Sequence, residues 1–277
     1  MSMIYAAMDA LLPFEWASYT FMKNALLAML LITPLFGLLG TMAVDNKMAF
    51  FSDALGHSAL TGIAIGVVLG WQNQMAAMLI FGVIWAVLIT FVKHNSKMSA
   101  DTIISVFSST SIALGLVILS RGGAFAKYSS VLVGDVLSVT QGDLLALLLT
   151  LIAAALVWLA LYNPLLITSV NSPLARSRGV RAHLTEYGFT ILVAVAVMVS
   201  IRWVGVMLIN SLLILPAAAS RNVARNAAGY LRLSVLIALA CGVAGLVISY
   251  YLNTSAGATV VLLCAAAYFA TLPLRRK

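Results

Sequence analysis

The sequence predicts an all-α protein that crosses a membrane eight or nine times. Of its 277 residues, 63% are hydrophobic and only 9% are charged, whereas about 25% of the residues in soluble domains are charged. Its mean hydropathy is +1.08. The charged residues separate apolar runs of the length that a helix needs to cross a bilayer, about 20 residues. No long stretch has the composition of a soluble domain, so we expect residues 1–277 to form a single transmembrane domain.

Polar breaks divide the chain into nine candidate spans. Residues 1–19, which precede the first span, are expected to form an interfacial segment. Residues 128–140 are too short to span, so we expect them to re-enter the membrane or to lie at its interface. Arg202 divides the sixth span from the seventh, and the count falls to eight if the seventh only re-enters. The nine spans are residues 20–44, 52–70, 75–92, 102–120, 143–162, 187–201, 203–220, 233–252 and 256–273.

Basic residues are distributed unevenly between the two ends of these spans. With nine crossings and the C-terminus inside the cell, 12 of the 16 Lys and Arg residues lie inside. Because cytoplasmic loops carry an excess of Lys and Arg, we expect the N-terminus outside and the C-terminus inside. Topology thus accounts for the net charge of +8, and nothing indicates nucleic-acid binding. The inside residues are Lys47, Lys93, Lys97, Arg176, Arg178, Arg181, Arg221, Arg225, Arg232, Arg275, Arg276 and Lys277.

The second span contains an unusual polar pair. Asp53 and His57 are four residues apart, so a helix places them on one face. Ionisable side chains inside a bilayer are costly and usually functional. Asp53 follows Ser52 where the span begins, so helix capping is an alternative for the Asp, but not for His57. The pair therefore has two functional interpretations, half of a divalent-metal site or part of a proton path. The alternative is an Asp–His pair with a purely structural role. The other two histidines, His94 and His183, lie in basic loops and are expected to be solvated.

Small residues form a stripe beside this pair. Ser58, Gly62, Gly66 and Gly70 recur every four residues. Small side chains at this spacing allow the backbones of two membrane helices to approach closely. We therefore expect helix packing on this face, about 100° around the helix from the polar pair.

A third candidate for metal binding is Asp135, in the short segment 128–140. It follows Gly134, and its carboxylate has two explanations. It is either a local acceptor for backbone N–H groups or a second carboxylate that lines a path for an ion.

The longest polar connection, residues 168–186, is expected to lie in the cytoplasm. Ser172 and Pro173 are typical of a helix start, and Gly179 is typical of a helix end. The resulting short basic helix is either solvated or a docking element. The chain has no P-loop pattern, so transport driven by ATP would need another polypeptide to bind the nucleotide. The candidate docking residues are Pro173, Leu174, Ala175, Arg176, Arg178 and Gly179.

Five segments resemble, in the same order, the permease subunit of the zinc, manganese and iron ABC importers, the ABC-3 family. Together they cover the chain from about residue 20 to its end. Thr61 stands where many members have proline or leucine, and Asn210 stands where a smaller residue is usual. The segments are SDALGHSALTG at 52–62, VGDVLSVT at 133–140, SPLARSRGV at 172–180, VGVMLINSLLILPAAASR at 204–221 and SAGATVVLLC at 255–264.

The resemblance implies the fold of a type II ABC importer permease in a bacterial cytoplasmic (inner) membrane. It implies a homodimer with the path at its interface, a pair of cytoplasmic ATP-binding subunits and an extracytoplasmic metal-binding protein. Asp53 and His57 match the metal site of the family, and residues 172–180 match its coupling helix. A divalent ion is then the transported substrate, no cofactor is permanently bound, and the chain is not itself an enzyme.

The identity of the ion and the mode of transport stay open at this point. Ligand preference favours Zn²⁺, while Mn²⁺ and Fe²⁺ also accept imidazole and carboxylate ligands. One alternative function is a secondary carrier or channel, coupled to an ion or proton gradient and working without an ATPase. Another is a siderophore or cobalamin permease of similar architecture, which would need a wide pathway and no metal-ligating pair.

Overall fold

The computed structural model describes residues 5, 6, 8, 9, 14–121 and 134–274, and this part of the chain contains helices but no strands. Eight helices of this described part, the last of them counted with the 3-10 turn that follows it, are long and apolar enough to cross a membrane, which confirms the predicted all-α class. In chain order they are α1 (Thr20–Asp45), α2 (Phe51–Val68), α3 (Gln74–Asn95), α4 (Ala100–Arg121), α5 (Gln141–Val170), α6 (Ala182–Val223), α7 (Ala227–Leu252) and α8 (Ala256–Thr271).

Short helical segments connect or flank the long helices. Glu15–Ser18 and Ser172–Ser177 are α-helical, and Val136–Ser138 and Leu272–Leu274 are 3-10 turns. Much of the interfacial segment expected at residues 1–19 lies outside the described residues, as do residues 128–133 of the segment expected to re-enter. The described residues of that second segment, 134–140, contain a single 3-10 turn and do not cross the bundle.

Polar side chains cap the N-termini of several of the long helices. Asn73 accepts a hydrogen bond from Ala76 N at 3.1 Å where α3 begins. Thr140 and Asp143 form a capping box at the start of α5, in which Thr140 N donates to Asp143 Oδ2 at 2.9 Å. Such caps satisfy backbone N–H groups that have no partner within the helix.

The bundle has two faces, which we call face A, where α1 begins, and face B, where α1 ends. Tyr19, just before α1, contacts Tyr250 near the end of α7, with ring centroids 6.3 Å apart. Val139, just before α5, accepts a hydrogen bond from Asn24 Nδ2 at 2.9 Å. The start of α5 and the end of α7 therefore lie on face A with the start of α1.

The longest helix, α6, reverses direction at Gly205. A straight helix of its 42 residues would be about 63 Å long, twice the thickness of a bilayer core. Its two ends nevertheless lie on the same face. Glu186 near its start pairs with Lys93 at the end of α3 (2.6 Å), and Arg221 near its end pairs with Asp45 at the end of α1 (3.4 Å). Both ends of α6 are therefore on face B, and the helix forms a hairpin.

The hairpin reconciles eight long helices with nine predicted spans. Its arms, residues 182–204 and 206–223, correspond to the predicted spans 187–201 and 203–220. The break was predicted at Arg202, which is wrong, because Arg202 is helical and the break is at Gly205. There φ is 79° and ψ is 161°, a combination that is essentially restricted to glycine, whereas a charged side chain does not interrupt a helix.

After the hairpin the chain crosses twice more. α7 runs antiparallel to α1, since Ser234 Oγ in its first half donates to Gly37 O at 2.8 Å in the second half of α1, and Tyr250 near its end contacts Tyr19. α8 returns to face B, where Asn222 Nδ2 reaches Thr271 Oγ1 at 3.3 Å. The start of α1 and the end of α8 therefore lie on opposite faces.

The helices differ strongly in how far they are enclosed. In their most apolar stretches, 67% of α1 and 72% each of α2 and α6 are buried, against 22% of α5 and 11% of α8. The first three helices thus form the centre, and α5 and α8 face the surroundings. Polar residues on α2 are consequently enclosed by other helices over most of its circumference.

Two glycines of the predicted stripe lie in close helix contacts. A methyl group on Gly62 would come within 2.9 Å of Met78 Cα, and one on Gly66 within 2.6 Å of Ala77 Cβ, so both allow α2 to pack against α3. Ser58 is fully buried and donates to Leu55 O at 2.7 Å. Gly70 differs, because it follows the end of α2 in a turn with φ +70° and no atom lies within 4 Å of a methyl group there. Gly70 therefore ends the helix and does not pack it.

We predict that Gly205→Ala destabilises the protein, by about 1–3 kcal/mol, because the left-handed backbone at the hairpin strains any residue with a Cβ. The measurement is the midpoint of thermal unfolding of the purified chain in detergent. Gly142→Ala is the matched control, since it lies in the first turn of α5 with only Thr140 Oγ1 near, at 3.9 Å. An unfolding midpoint for Gly205→Ala equal to that of the control would contradict the assigned hairpin.

Candidate metal site

α2 presents Asp53 and His57 near face B, on one side of the helix as predicted. Asp53 Oδ1 lies 3.5 Å from His57 Nε2, and the two side chains are 40% and 29% exposed, respectively. No side chain caps the start of α2, which follows Phe50, and the Ser52 hydroxyl is buried without a hydrogen-bond partner. The capping alternative for Asp53 is therefore not what the structure shows.

Two other helices contribute polar groups to Asp53. Asn210, on the second arm of α6, donates from Nδ2 to Asp53 Oδ1 at 2.8 Å. Ser108 of α4 also lies close to this carboxylate. Asp53 is thus held by a hydrogen bond from α6, so it is oriented rather than free to rotate.

Asn210 is the residue that the sequence analysis did not place in the site. Its Oδ1 is buried and has no hydrogen-bond partner, which costs about 1–3 kcal/mol for a polar atom. An amide oxygen in this state is a ready ligand for a cation. A polar Asn inside an 18-residue uncharged stretch is itself unusual and could have drawn attention to this position. The contact with Asp53 could not be predicted, because the two residues are 157 positions apart in the sequence.

These groups form a partial metal site. Within the described residues, no group of three or more His, Cys, Asp or Glu side chains could hold an ion. The pair on α2 offers one imidazole nitrogen and one carboxylate, and Asn210 offers an amide oxygen. Nitrogen and oxygen ligands of this kind suit Zn²⁺, Mn²⁺ and Fe²⁺. An ion here would need water or groups from another chain to complete its coordination.

Asp135 lies in a separate place, on face A. Its Oδ1 accepts a hydrogen bond from Leu137 N at 3.0 Å, so it caps the 3-10 turn that follows it. With Val204 and residues 254–257 it lines a recess of about 130 Å³. No hydrogen bond joins Asp135 to the pair on α2. Its local-acceptor role is therefore visible, and its role as a ligand stays a prediction.

Hydroxyl groups continue the polar surface along α4. Ser105 and Ser109 are exposed and lie on the same side of the helix as Ser108, which is close to Asp53. Ser211, next to Asn210, is also solvent-accessible, with its hydroxyl bonded to Met207 O. Because hydroxyls and a carboxylate are poorly solvated by lipid, this surface needs protein or water to cover it.

The segment predicted to be a docking helix is a short helix on face B. It runs over Ser172–Ser177, and Gly179 follows it with φ +75°. Val180 N donates to Ala175 O at 3.0 Å, and Ala175 is fully buried. Pro173 and Arg178 are exposed. The side chains of Leu174 and Arg176 lie outside the described part of the structure.

Comparisons with known proteins agree with these features. The model of the ABC 3 transport family matches residues 18–275. The manganese import system permease protein ScaB of Streptococcus parasanguinis is 30% identical over 262 residues, covering 94% of this chain and 93% of that protein. The high-affinity zinc uptake system membrane protein ZnuB of Haemophilus influenzae is 30% identical over 246 residues, covering 88% of this chain and 94% of that protein.

A solved structure has the same fold. PsaBC from Streptococcus pneumoniae, determined in complex with Fab, superposes with a TM-score of 0.79 at 27% sequence identity. The match covers 98% of this chain and 95% of that chain. Family, relatives and fold agree with the resemblance carried by the five sequence segments, so this chain belongs to the ABC 3 transport family and is a multi-pass membrane permease.

Proposed function

We propose that this chain is the permease subunit of an ATP-driven importer that carries a divalent transition-metal ion from face A to face B. The observation that carries the proposal is the group formed by Asp53, His57 and Asn210 among central membrane helices. Relatives of the chain are named as permeases for manganese and for zinc. Zn²⁺ is the ion we favour, because imidazole is a better ligand for Zn²⁺ than for Mn²⁺.

The incomplete coordination suits transport. A site within a path must bind an ion well enough for it to enter and weakly enough for it to leave. Asp53 supplies the negative charge that offsets the cost of bringing a cation into the bilayer, and Asn210 holds it in position. His57 supplies the ligand that favours transition metals over Ca²⁺ and Mg²⁺.

A second copy of the chain supplies the missing cover in this proposal. His57 and Asp53 remain partly exposed in the single chain, and Ser108 on the hydroxyl-bearing side of α4 lies near Asp53. A homodimer that joins these surfaces would shield them from lipid and bring two partial sites together. The remaining ligands would then come from the partner subunit or from water.

Face A is the outer face in this proposal. The recess beside Asp135 then opens to an extracytoplasmic metal-binding protein that delivers the ion. Val204 lines the recess, and Asn210 lies on the order of 9 Å further along the helical hairpin at 1.5 Å per residue. Asp135 would be the first carboxylate that an incoming ion meets, before the group at Asp53.

Face B is then cytoplasmic, as the Lys and Arg residues of its loops indicate. The short helix Ser172–Ser177 projects from this face with Arg178 exposed beside it. This is the surface that we assign to the cytoplasmic ATP-binding subunits. Their nucleotide-driven movement reaches the membrane through α6, which begins directly after this loop.

We expect His57→Ala to lower metal uptake by cells at least about tenfold, because removing even an outer-shell partner of a metal ligand typically costs 10–100-fold in affinity. Asn210→Ala should give a smaller loss, since it frees Asp53 without removing the imidazole. Ser211→Ala is the control, because its hydroxyl bonds only to the backbone of its own helix. Wild-type uptake by His57→Ala at equal expression would refute the site.

The choice of ion is tested by competition. In cells that depend on this permease, radioactive Zn²⁺ uptake should be inhibited by unlabelled Zn²⁺ at lower concentration than by Mn²⁺ or Fe²⁺, because imidazole and carboxylate ligands follow that order of affinity. Stronger inhibition by Mn²⁺ would overturn the preference for zinc while leaving the site in place. Uptake into vesicles containing only this chain, driven by a proton gradient, would indicate a secondary carrier instead.

The docking role of the loop predicts that Arg178→Glu blocks ATP-driven uptake, because a charge reversal in an interface costs several kcal/mol. Binding of metal to the purified permease should be unaffected, since Arg178 is exposed and distant from α2 in the chain. The control is Lys97→Glu, an exposed charge reversal elsewhere on face B. Equal uptake by the two variants would argue against docking at the loop.

A further inference from the structure

We infer that His94 and His183 form a second metal site, on face B, which binds a divalent transition-metal ion after it has left the path. From the sequence, both residues were predicted to be solvated. In the structure, His94 ends α3 and His183 begins α6, and they are 89 residues apart in the chain. His94 and His183 are two of the three histidines of the protein.

The two imidazoles face each other through the same ring nitrogen. His94 Nδ1 and His183 Nδ1 lie 3.0 Å apart, with ring centroids at 4.2 Å and an angle of 63° between the rings. In the metal-free state one Nδ1 must donate a proton to the other. An ion that replaces this shared proton needs both Nδ1 lone pairs, directed to one position beside the line that joins the two nitrogens.

Glu186 orients His94 for this role. Its Oε2 lies 3.3 Å from His94 Nε2, a buried atom that forms no hydrogen bond, and its Oε1 pairs with Lys93 Nζ at 2.6 Å. A carboxylate on one imidazole nitrogen favours the tautomer whose proton is there, and it leaves the lone pair on Nδ1. The same carboxylate offsets the positive charge of Lys93, the nearest cation. Glu186 is thus a positioning residue and not a ligand.

The spacing fits a tetrahedral ion. Zinc–nitrogen bonds of 2.0–2.1 Å place two ligand nitrogens about 3.3 Å apart in tetrahedral geometry. A shift of a few tenths of an ångström, together with a turn of the exposed His183 ring, gives that distance and directs both lone pairs to the ion. With two protein ligands and water in the other positions, the site binds reversibly. Two imidazoles select Zn²⁺, Ni²⁺ or Cu²⁺ over Mn²⁺, Ca²⁺ and Mg²⁺.

The position of the site gives it a consequence for transport. His183 follows the loop 172–180 within four residues, so an ion bound to both histidines ties the start of α6 to the end of α3. This restrains the segment through which we propose that ATP-binding subunits act. We therefore propose that metal accumulated at face B slows import. That regulatory role rests on the proposed function, whereas ion binding by the two histidines does not.

The binding test uses the full chain, purified in detergent, with Zn²⁺ as the probe in equilibrium dialysis. In a His57→Ala background, which removes the path site, we expect one Zn²⁺ per chain to remain. Adding His183→Gln should weaken that binding at least about tenfold, and adding Glu186→Gln should weaken it less, in line with an outer-shell partner. Adding Lys97→Gln, an exposed residue of the neighbouring loop, is the control and should change nothing.

The outcomes separate the two proposals. Equal Zn²⁺ binding by the His57→Ala chain with and without His183→Gln overturns the second site, whatever happens at His57. If His183→Gln proves unstable, the rise in unfolding midpoint on adding Zn²⁺ to the His57→Ala chain, and its loss in His94→Gln, decides the same question.

Regulation is tested in vesicles containing the permease and its ATPase partner. Zn²⁺ on the ATPase side should slow uptake several-fold in wild type and not in His183→Gln, and equal slowing in both overturns the regulatory role.

Discussion

The polar groups of this protein meet because the chain reverses within the bundle at Gly205. A bilayer offers no water to an interrupted helix, so irregular backbone is tolerated there only when protein encloses it. Gly205 is buried, and the backbone of Gly134 packs directly against it. From this point the second arm of α6 returns toward face B and places Asn210 beside Asp53. A single left-handed residue thus decides both the side to which the chain returns and the third member of the candidate site.

The distribution of burial explains why this group is accessible from one side only. α1, α2 and α6 occupy the centre of the bundle, whereas α5 and α8 present mostly apolar side chains outward. Close packing of α2 against α3 uses Gly62 and Gly66, and packing against α4 uses Thr61, whose hydroxyl donates to Ser111 O. The Asp53–His57 side of α2 stays partly exposed in the single chain. Packing and polarity are therefore divided between neighbouring faces of one helix.

Much of this arrangement can be predicted from the sequence, because its physical causes are local. Span positions follow from the length of apolar chain that a bilayer requires, and the Asp53–His57 pair follows from a separation of four residues in a helix. The short helix after Ser172 and its end near Gly179 follow from capping and turn preferences. Each inference uses residues within one or two helical turns, where backbone geometry dictates which side chains are neighbours.

The sequence by itself therefore determined the class, the spans and half of the candidate site. Only the tertiary structure decided that the hairpin turns at Gly205 and not at Arg202, and that Gly70 ends a helix. It alone brought Asn210 to Asp53 and His94 to His183, across 157 and 89 residues. Which helix faces meet depends on the packing of all the helices together, and hydropathy does not encode that choice because it reports how apolar a span is and not which neighbour each of its faces contacts.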